Sequence, residues 1–174
     1  GNVGIASIVN GLLLSGTADM SSTEIHNQLD GLGAFYESNV GHENATVSIY
    51  ALRENMISIL HVLKNAIQNM AFNEQEVQEL ISDRKQKFRV NLEKVSFLAQ
   101  RQFQKEIFYN SPYGRVMEEK DYDTFSIPEM KSFFRENYLN GLTKVVVVGN
   151  FSQDEIDAMI DLTGPWSKEG PVDF

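Results

Sequence analysis

The sequence predicts an α+β fold in which a helix-rich layer packs on a mainly antiparallel sheet. Apolar residues recur at helical spacing through most of the chain. Several of these periodic segments open on Ser or Asn with an acidic residue within the next three positions, the pattern of a capped helix start. Strand formers gather in only two places, residues 34–52 and 144–148.

The elements follow in chain order. Ala6, Ile8, Val9, Leu12 and Leu13 share one helical face, with Gly16 as the stop. Ser21-Ser22-Thr23-Glu24 is a capping box opening a helix with Ile25, Leu29 and Leu32 on its apolar side, and Gly31 and Gly33 end it. Residues 34–52 read as a hairpin, with Thr46, Val47, Ile49 and Tyr50 in one strand and Gly41-His42-Glu43-Asn44 as the turn. Met56, Ile59, Leu60, Leu63, Ile67 and Met70 then line one face of a helix. Asn73 caps a long helical stretch from about Glu74 to Tyr109, with a break near Lys94-Val95-Ser96. Ser111-Pro112-Tyr113-Gly114 is a turn. Ser126-Ile127-Pro128-Glu129 caps the helix that carries Met130, Phe133 and Phe134, with Pro in the first turn, where its missing N–H costs nothing. The β-branched run at 144–148 predicts a buried strand, and Ser152-Gln153-Asp154-Glu155 caps a last helix. The chain reads as a single domain over 1–166 with an exit linker over 167–174. A sheet of two or three strands is thin for so many helices, so strands ahead of residue 1 are expected in a longer polypeptide.

Composition narrows the function classes. With 174 residues, 42% apolar and 22% charged, the chain has ordinary globular values. Its net charge of −9 argues against nucleic acid, which needs clustered Lys and Arg. That charge serves solubility or attracts basic peptides. The longest apolar runs are too short to span a bilayer. The absence of cysteine removes disulfides and thiolate metal sites. His26, His42 and His61 include no i, i+4 pair. His26 is expected to pair with Asp30 on the surface, His42 sits on the hairpin tip, and His61 shares a polar face with Lys64 and Gln68. No nucleophile elbow, phosphate-binding loop or dinucleotide fingerprint is present. No cofactor is expected.

A set of ordered landmarks then points to a family. Gly4-Ile5-Ala6 and Leu12-Leu13-Leu14-Ser15-Gly16-Thr17 are followed by Leu32-Gly33-Ala34, the hairpin, Phe72 before an acidic helix start, Ser111-Pro112-Tyr113-Gly114 and Val147-Val148-Gly149-Asn150-Phe151. The chain resembles the insulinase, pitrilysin and mitochondrial-processing-peptidase family of zinc peptidases over nearly all of residues 3–166. The resemblance implies a metallopeptidase-like half-domain of the processing-peptidase type. In the family, the motif helix carries H-x-x-E-H, two zinc ligands flanking a general base. Aligned on Gly16-Thr17, the first His slot is Ser7, the Glu slot Asn10 and the second His slot Gly11. The third ligand is a Glu about 76 residues further on, and an ungapped count lands on Lys87. None of the four is retained. Gly11 has no donor, neutral Ser and Asn oxygens ligate zinc poorly, Lys87 brings a positive charge, and Asn10 cannot take a proton from water. No metal and no catalytic residue are therefore expected.

The family's substrate strand, roughly N-A-x-T, falls on Glu37-Ser38-Asn39-Val40. These are the peptide-contact candidates, since backbone pairing needs no particular side chain. Glu37 and Glu43 flank the stretch and favour basic peptides. The resemblance implies a catalytically inactive domain forming a chamber wall or peptide-contact half. Its expected partners are a peptide or unfolded polypeptide and an active zinc-bearing half or subunit, or a second copy in a homodimer. The alternative is a non-proteolytic assembly scaffold of the same fold. A metal enzyme built on the three histidines has no support in their spacing. The expected setting is a soluble protein of a bacterial cytoplasm or periplasm.

Overall fold

A computed structural model describes residues 3–139 and 144–164. Helix α1 (Ile5–Gly11) is followed by α2 (Ser22–Gly31), a hairpin of β1 (Phe35–Val40) and β2 (Ala45–Tyr50), and α3 (Met56–Gln68). Then come α4 (Glu74–Leu92), α5 (Val95–Ile107), α6 (Ile127–Phe134) and α7 (Gln153–Thr163). Helices form one layer and the antiparallel hairpin a small sheet, as the patterning predicts.

The helix starts follow the capping chemistry. Ser21 and Ser152 form complete capping boxes with Glu24 and Glu155. Asn73 accepts the Gln75 N–H at 2.9 Å, and Ser126 accepts the Glu129 N–H at 3.4 Å. The long helical stretch breaks at Glu93-Lys94, where α4 ends and α5 begins. Helix α1 ends at Gly11, before Gly16, because Leu12, Leu13 and Leu14 must turn between two packed clusters. Ile8, Val9, Leu12 and Leu13 pack with Val77 and Phe88 of α4 and Met130 and Phe134 of α6. Leu14 joins the second cluster, formed by Ile25 and Leu29 of α2 and Ile59, Leu63 and Ala66 of α3. The hairpin lays Tyr36 and Ile49 against this second cluster. The segment leaving α1, Leu12 to Leu14, is thus shared by both halves of the core.

Gly16 closes the α1 exit. Its φ of +124° is a glycine conformation, and an added Cβ would lie 3.0 Å from the Met20 carbonyl oxygen. Its own carbonyl accepts the Ala71 N–H at 3.1 Å, tying α1 to the start of α4.

One expectation fails. Residues 144–148 belong to no strand, and Val145, Val146, Val147 and Val148 are exposed rather than buried. β-branched side chains favour a pleated, half-buried surface, yet a strand also needs an edge to pair with. Among the described residues the sheet consists of β1 and β2, and 144–148 pairs with neither. The exit linker expected over 167–174 lies outside the described residues.

Candidate functional site

The C-terminal turn of α1 lies over α4 and beside β1. Ser7 is half-buried on α1. Asn10 is 3% exposed, and its Oδ1 accepts a hydrogen bond from the Tyr138 hydroxyl at 3.1 Å. Tyr138 comes from a widened, π-type helical turn over Arg135–Leu139 that continues α6. Burial, with a smaller contribution from Tyr36, pushes the Tyr138 hydroxyl up to about 12.

Gly11 faces α4. A Cβ placed on it would lie 3.1 Å from Leu80 Cδ2 and 3.4 Å from Arg84 Nη2. Leu80 and Arg84 are one turn apart on α4, so methyl groups and a guanidinium stand where α1 meets this helix. Lys87 does not join them in any contact. Its side chain is 68% exposed and donates from Nζ to Asp83 Oδ2 at 2.7 Å. Asn10 and Gly11 therefore share one site with Leu80 and Arg84, while Lys87 is held by its own helix.

Between α1, α2, β1 and α4 lies a cleft of about 320 Å³. Glu76, Glu79 and Asp83 line its α4 wall. Tyr36 and Ser38 of β1 and His26 of α2 line the opposite side, and Asn10 and Ser15 belong to α1 and its exit. The Ser15 hydroxyl is buried and has no hydrogen-bond partner among the described residues.

Of the peptide-contact candidates, only Ser38 borders this cleft. Strand alternation turns Tyr36 and Ser38 inward and leaves Glu37 and Asn39 exposed. Val40, at the strand end opposite Ala45, is also exposed. Glu43 is occupied at the hairpin tip, where its Oε1 accepts from the Tyr113 hydroxyl at 2.5 Å.

The histidines do not converge. His26 Nδ1 lies 2.8 Å from the Ser22 carbonyl, a group that only accepts, so Nδ1 carries the proton. This bond replaces the surface pair expected with Asp30. His42 packs edge-on against Tyr113 with ring centroids 5.4 Å apart, and 6.0 Å from the Phe108 ring. His61 is exposed on α3. Among the described residues, no group of three or more His, Cys, Asp or Glu is placed to hold a metal ion.

Sequence reasoning did not single out Glu76, Glu79, Asp83, Ser15 or Tyr138. The acidic stripe at i, i+3 and i+7 was legible as one helix face. Tyr138 had no local signal, because its partner Asn10 lies 128 residues away.

These features define a helix-rich domain whose short first helix lies across a long helix and beside a hairpin. Residues 1–119 match the insulinase family, peptidase family M16, and the chain belongs to that family. It is 24% identical over 155 residues to an uncharacterized zinc protease of Rickettsia felis, covering 88% of this chain and 38% of that protein. A second uncharacterized zinc protease, from Rickettsia bellii, is 23% identical over 165 residues, again over 38% of its length. The chain thus spans well under half of these relatives. Among solved structures, a peptidase M16 inactive domain from Pseudomonas fluorescens superposes with a TM-score of 0.88 at 18% identity. That match covers 99% of this chain and 43% of the other. A protease from Helicobacter pylori gives 0.82 at 16% identity, over 99% and 43%. The periplasmic protease PqqL of Escherichia coli gives 0.68 at 16%, over 95% and 19%. These likenesses establish the fold.

The family implies zinc, and the residues present do not fit it. Gly11 offers no donor, Asn10 is neutral with its oxygen engaged by Tyr138, and the Arg84 guanidinium would face a dication at close range. No helix among the described residues is long and apolar enough to cross a membrane.

Proposed function

We propose that this chain is a catalytically inactive domain of an insulinase-family protein, one that forms part of a peptide-holding chamber and pairs with a zinc-bearing half. The observation that carries the reading is the packing of Gly11 against Leu80 and Arg84, which fills the ligand position with methyl groups and a positive charge. Ser7, Asn10, Gly11 and Lys87 are then the vestiges of a metal site, and Asn10 has no capacity to act as a general base. The likeness to the Pseudomonas fluorescens inactive domain supports the same reading.

Peptide contact in this proposal falls to β1, residues Glu37-Ser38-Asn39-Val40. Its edge away from β2 is unpaired among the described residues and offers backbone groups to an extended chain. Residues 1–166 act as one domain and 167–174 as the exit.

The test is metal analysis of the protein purified without chelator, together with its behaviour beside a family member that carries an intact H-x-x-E-H. The expected result is no zinc surviving dialysis and no hydrolysis of an unfolded polypeptide by this protein alone. Co-elution with the intact member, with peptidase activity in the mixture, is expected as well. Stoichiometric retained zinc overturns the inactive reading, and separate elution with no effect on the partner's activity overturns the pairing.

A further inference from the structure

Helix α5 presents its apolar side outward. The side that meets the domain carries Phe97, Arg101 and Gln104, and no residue of the helix is buried. Phe97 packs edge-on against Phe88, and Arg101 lies over both rings while donating to the Met117 carbonyl. Gln104 donates from Nε2 to the Tyr113 carbonyl at 2.8 Å. Two of the three groups that fix α5 to the domain are thus polar. Val95, Ala99, Phe103 and Ile107 recur every fourth residue and form a single row along the other side. Val95 is 81% exposed, Phe103 65% and Ile107 59%, and Ala99 is exposed as well. A surface helix ordinarily buries its apolar row and shows its polar side.

The composition of this stretch matches an interface core. Residues 95–104 hold no acidic side chain, although the chain carries a net charge of −9. The one charge there is Arg101, which is engaged inward. An apolar row with an aromatic at its centre and no charge of its own marks a surface that another surface covers.

The order of residues in the row says which surface. The row is evenly spaced about residue 101, with apolar ends and a small and a large residue at its centre. A second α5 laid antiparallel across it, about a two-fold axis at residue 101, sets Ala99 opposite Phe103 and Val95 opposite Ile107. Each Phe103 ring then enters the room above an alanine. The ends agree in charge. Lys94 stands at the start of α5 and Glu106 in its last turn, and each makes a neutral hydrogen bond within its own chain, Lys94 to Asn91 and Glu106 from Gln102. Antiparallel pairing brings the Lys94 end of one helix to the Glu106 end of the other. Parallel pairing would set ring against ring and Glu106 against Glu106.

We propose that the outer row of α5 docks on the α5 of a second copy of this chain, antiparallel and about a two-fold axis, as an isologous interface. No residue of α5 lines the cleft beside β1, so the pairing is independent of the inactive-domain reading.

The test follows the mass of the full chain by sedimentation from about 10 µM to 1 mM, a range set by the size of the face. The row is about 20 Å long at 1.5 Å per residue, which is small beside a standard interface, so a weak dimer is expected, with Kd on the order of 100 µM. Phe103→Ala should raise Kd about tenfold or more, since the ring is lost twice per dimer. Ala99→Phe together with Phe103→Ala should bring Kd back to within about threefold of the native value, because the exchange rebuilds the same ring and recess on opposite copies. Both positions are exposed, so circular dichroism and Tm should stay unchanged in every variant. Recovery by the exchange supports self-pairing, since an unrelated partner would not follow it. A monomer at every concentration overturns the proposal. If such a monomer co-elutes with a zinc-bearing family member and Phe103→Glu abolishes that co-elution, the row belongs to that partner instead. A dimer unaffected by Phe103→Ala overturns the role of α5, and a dimer lost in Phe103→Ala but not recovered by the exchange overturns the antiparallel register.

Discussion

Replacing Tyr138 with Phe isolates its bond to Asn10, the residue proposed to stand at the family's general-base position. The substitution keeps the ring, which stacks on Phe134 with centroids 5.5 Å apart, and removes only the hydroxyl that donates to Asn10 Oδ1 at 3.1 Å. Asn10 is 3% exposed, so its oxygen is left in a site where water cannot easily replace the lost donor. The expected cost is about 1–3 kcal/mol. For a chain of this size, 2 kcal/mol corresponds to a fall in Tm of about 4–8 °C. Asn10→Ala should cost at least as much, because it strands the Tyr138 hydroxyl and also opens space. The double variant should then be less damaging than the two single losses combined, with a coupling of about 1 kcal/mol. The hydroxyl also fixes a pH dependence. A folded-state value pushed up to about 12, against about 10 unfolded, means that the folded chain holds this proton longer. Its contribution is fully present below about pH 10 and is lost as pH rises through 12. Tyr138→Phe should therefore flatten the alkaline fall in stability. Chemical denaturation at pH 7 and pH 10 to 11 measures both effects. A Tyr138→Phe loss under about 0.5 kcal/mol, with additive double-variant losses, would refute a working bond between the two residues.

Three further outcomes follow from the geometry. Restoring Ser7→His, Asn10→Glu, Gly11→His and Lys87→Glu should give weak zinc affinity until Arg84→Gln is added. Zinc titration by calorimetry decides this, and equal affinity with and without Arg84→Gln counts against an electrostatic block. Arg53 binds Glu155 in a two-pronged pair linking the turn before α3 to the start of α7, and with the Ser152 bonds it holds the Glu155 carboxyl down at about 2. That depressed value means stability is present above the ordinary carboxylate range near pH 4.5 and lost as pH falls through 2, so Glu155→Gln should show a shallower acid transition by circular dichroism. Arg101 lies over the Phe88 and Phe97 rings, 5.0 and 5.5 Å from their centroids, and donates to the Met117 carbonyl at 2.6 Å. Arg101→Lys should cost about 1–2 kcal/mol in urea denaturation despite keeping the charge, because an ammonium lacks the planar fork.

Local chemistry made most of the fold legible, and distance hid most of the site. Ser21, Asn73, Ser126 and Ser152 start helices through bonds to residues two or three places ahead, so the sequence alone exposes them. The hairpin was legible because its turn and both strands lie within one short stretch. Residues 144–148 misled because propensity says nothing of whether the fold brings a segment alongside a strand edge. At the site, the proposed ligand slots on α1 rest on spacing alone, since a motif helix is local. The approach of Leu80 and Arg84 to Gly11 could not, because it depends on how α1 crosses α4. Tyr138 is hidden for the same reason, and the π-type turn that carries it has no sequence signature of its own.

On the proposed alignment, the contacts at α1 make the family's metal position a structural joint. Relaxed selection alone would tend to leave buried polar groups without partners, since each substitution would be judged by nothing nearby. Here Asn10 is bonded to Tyr138, and Lys87 is paired with Asp83. Gly11, lacking a side chain, allows Leu80 to approach within 3.1 Å of where a Cβ would stand. The unpartnered buried side-chain atom among the described residues is the Ser15 hydroxyl, on a residue that lines the cleft, and not an atom of Ser7, Asn10 or Lys87. A domain rebuilt this way draws stability from contacts that a metal site would have to displace. Gly11→His must push Leu80 aside, and Asn10→Glu must bury a carboxylate against the Tyr138 hydroxyl. On the proposed reading, the loss of the metal site and the stability of α1 are one property, and installing ligands at these positions should lower the stability of the metal-free chain.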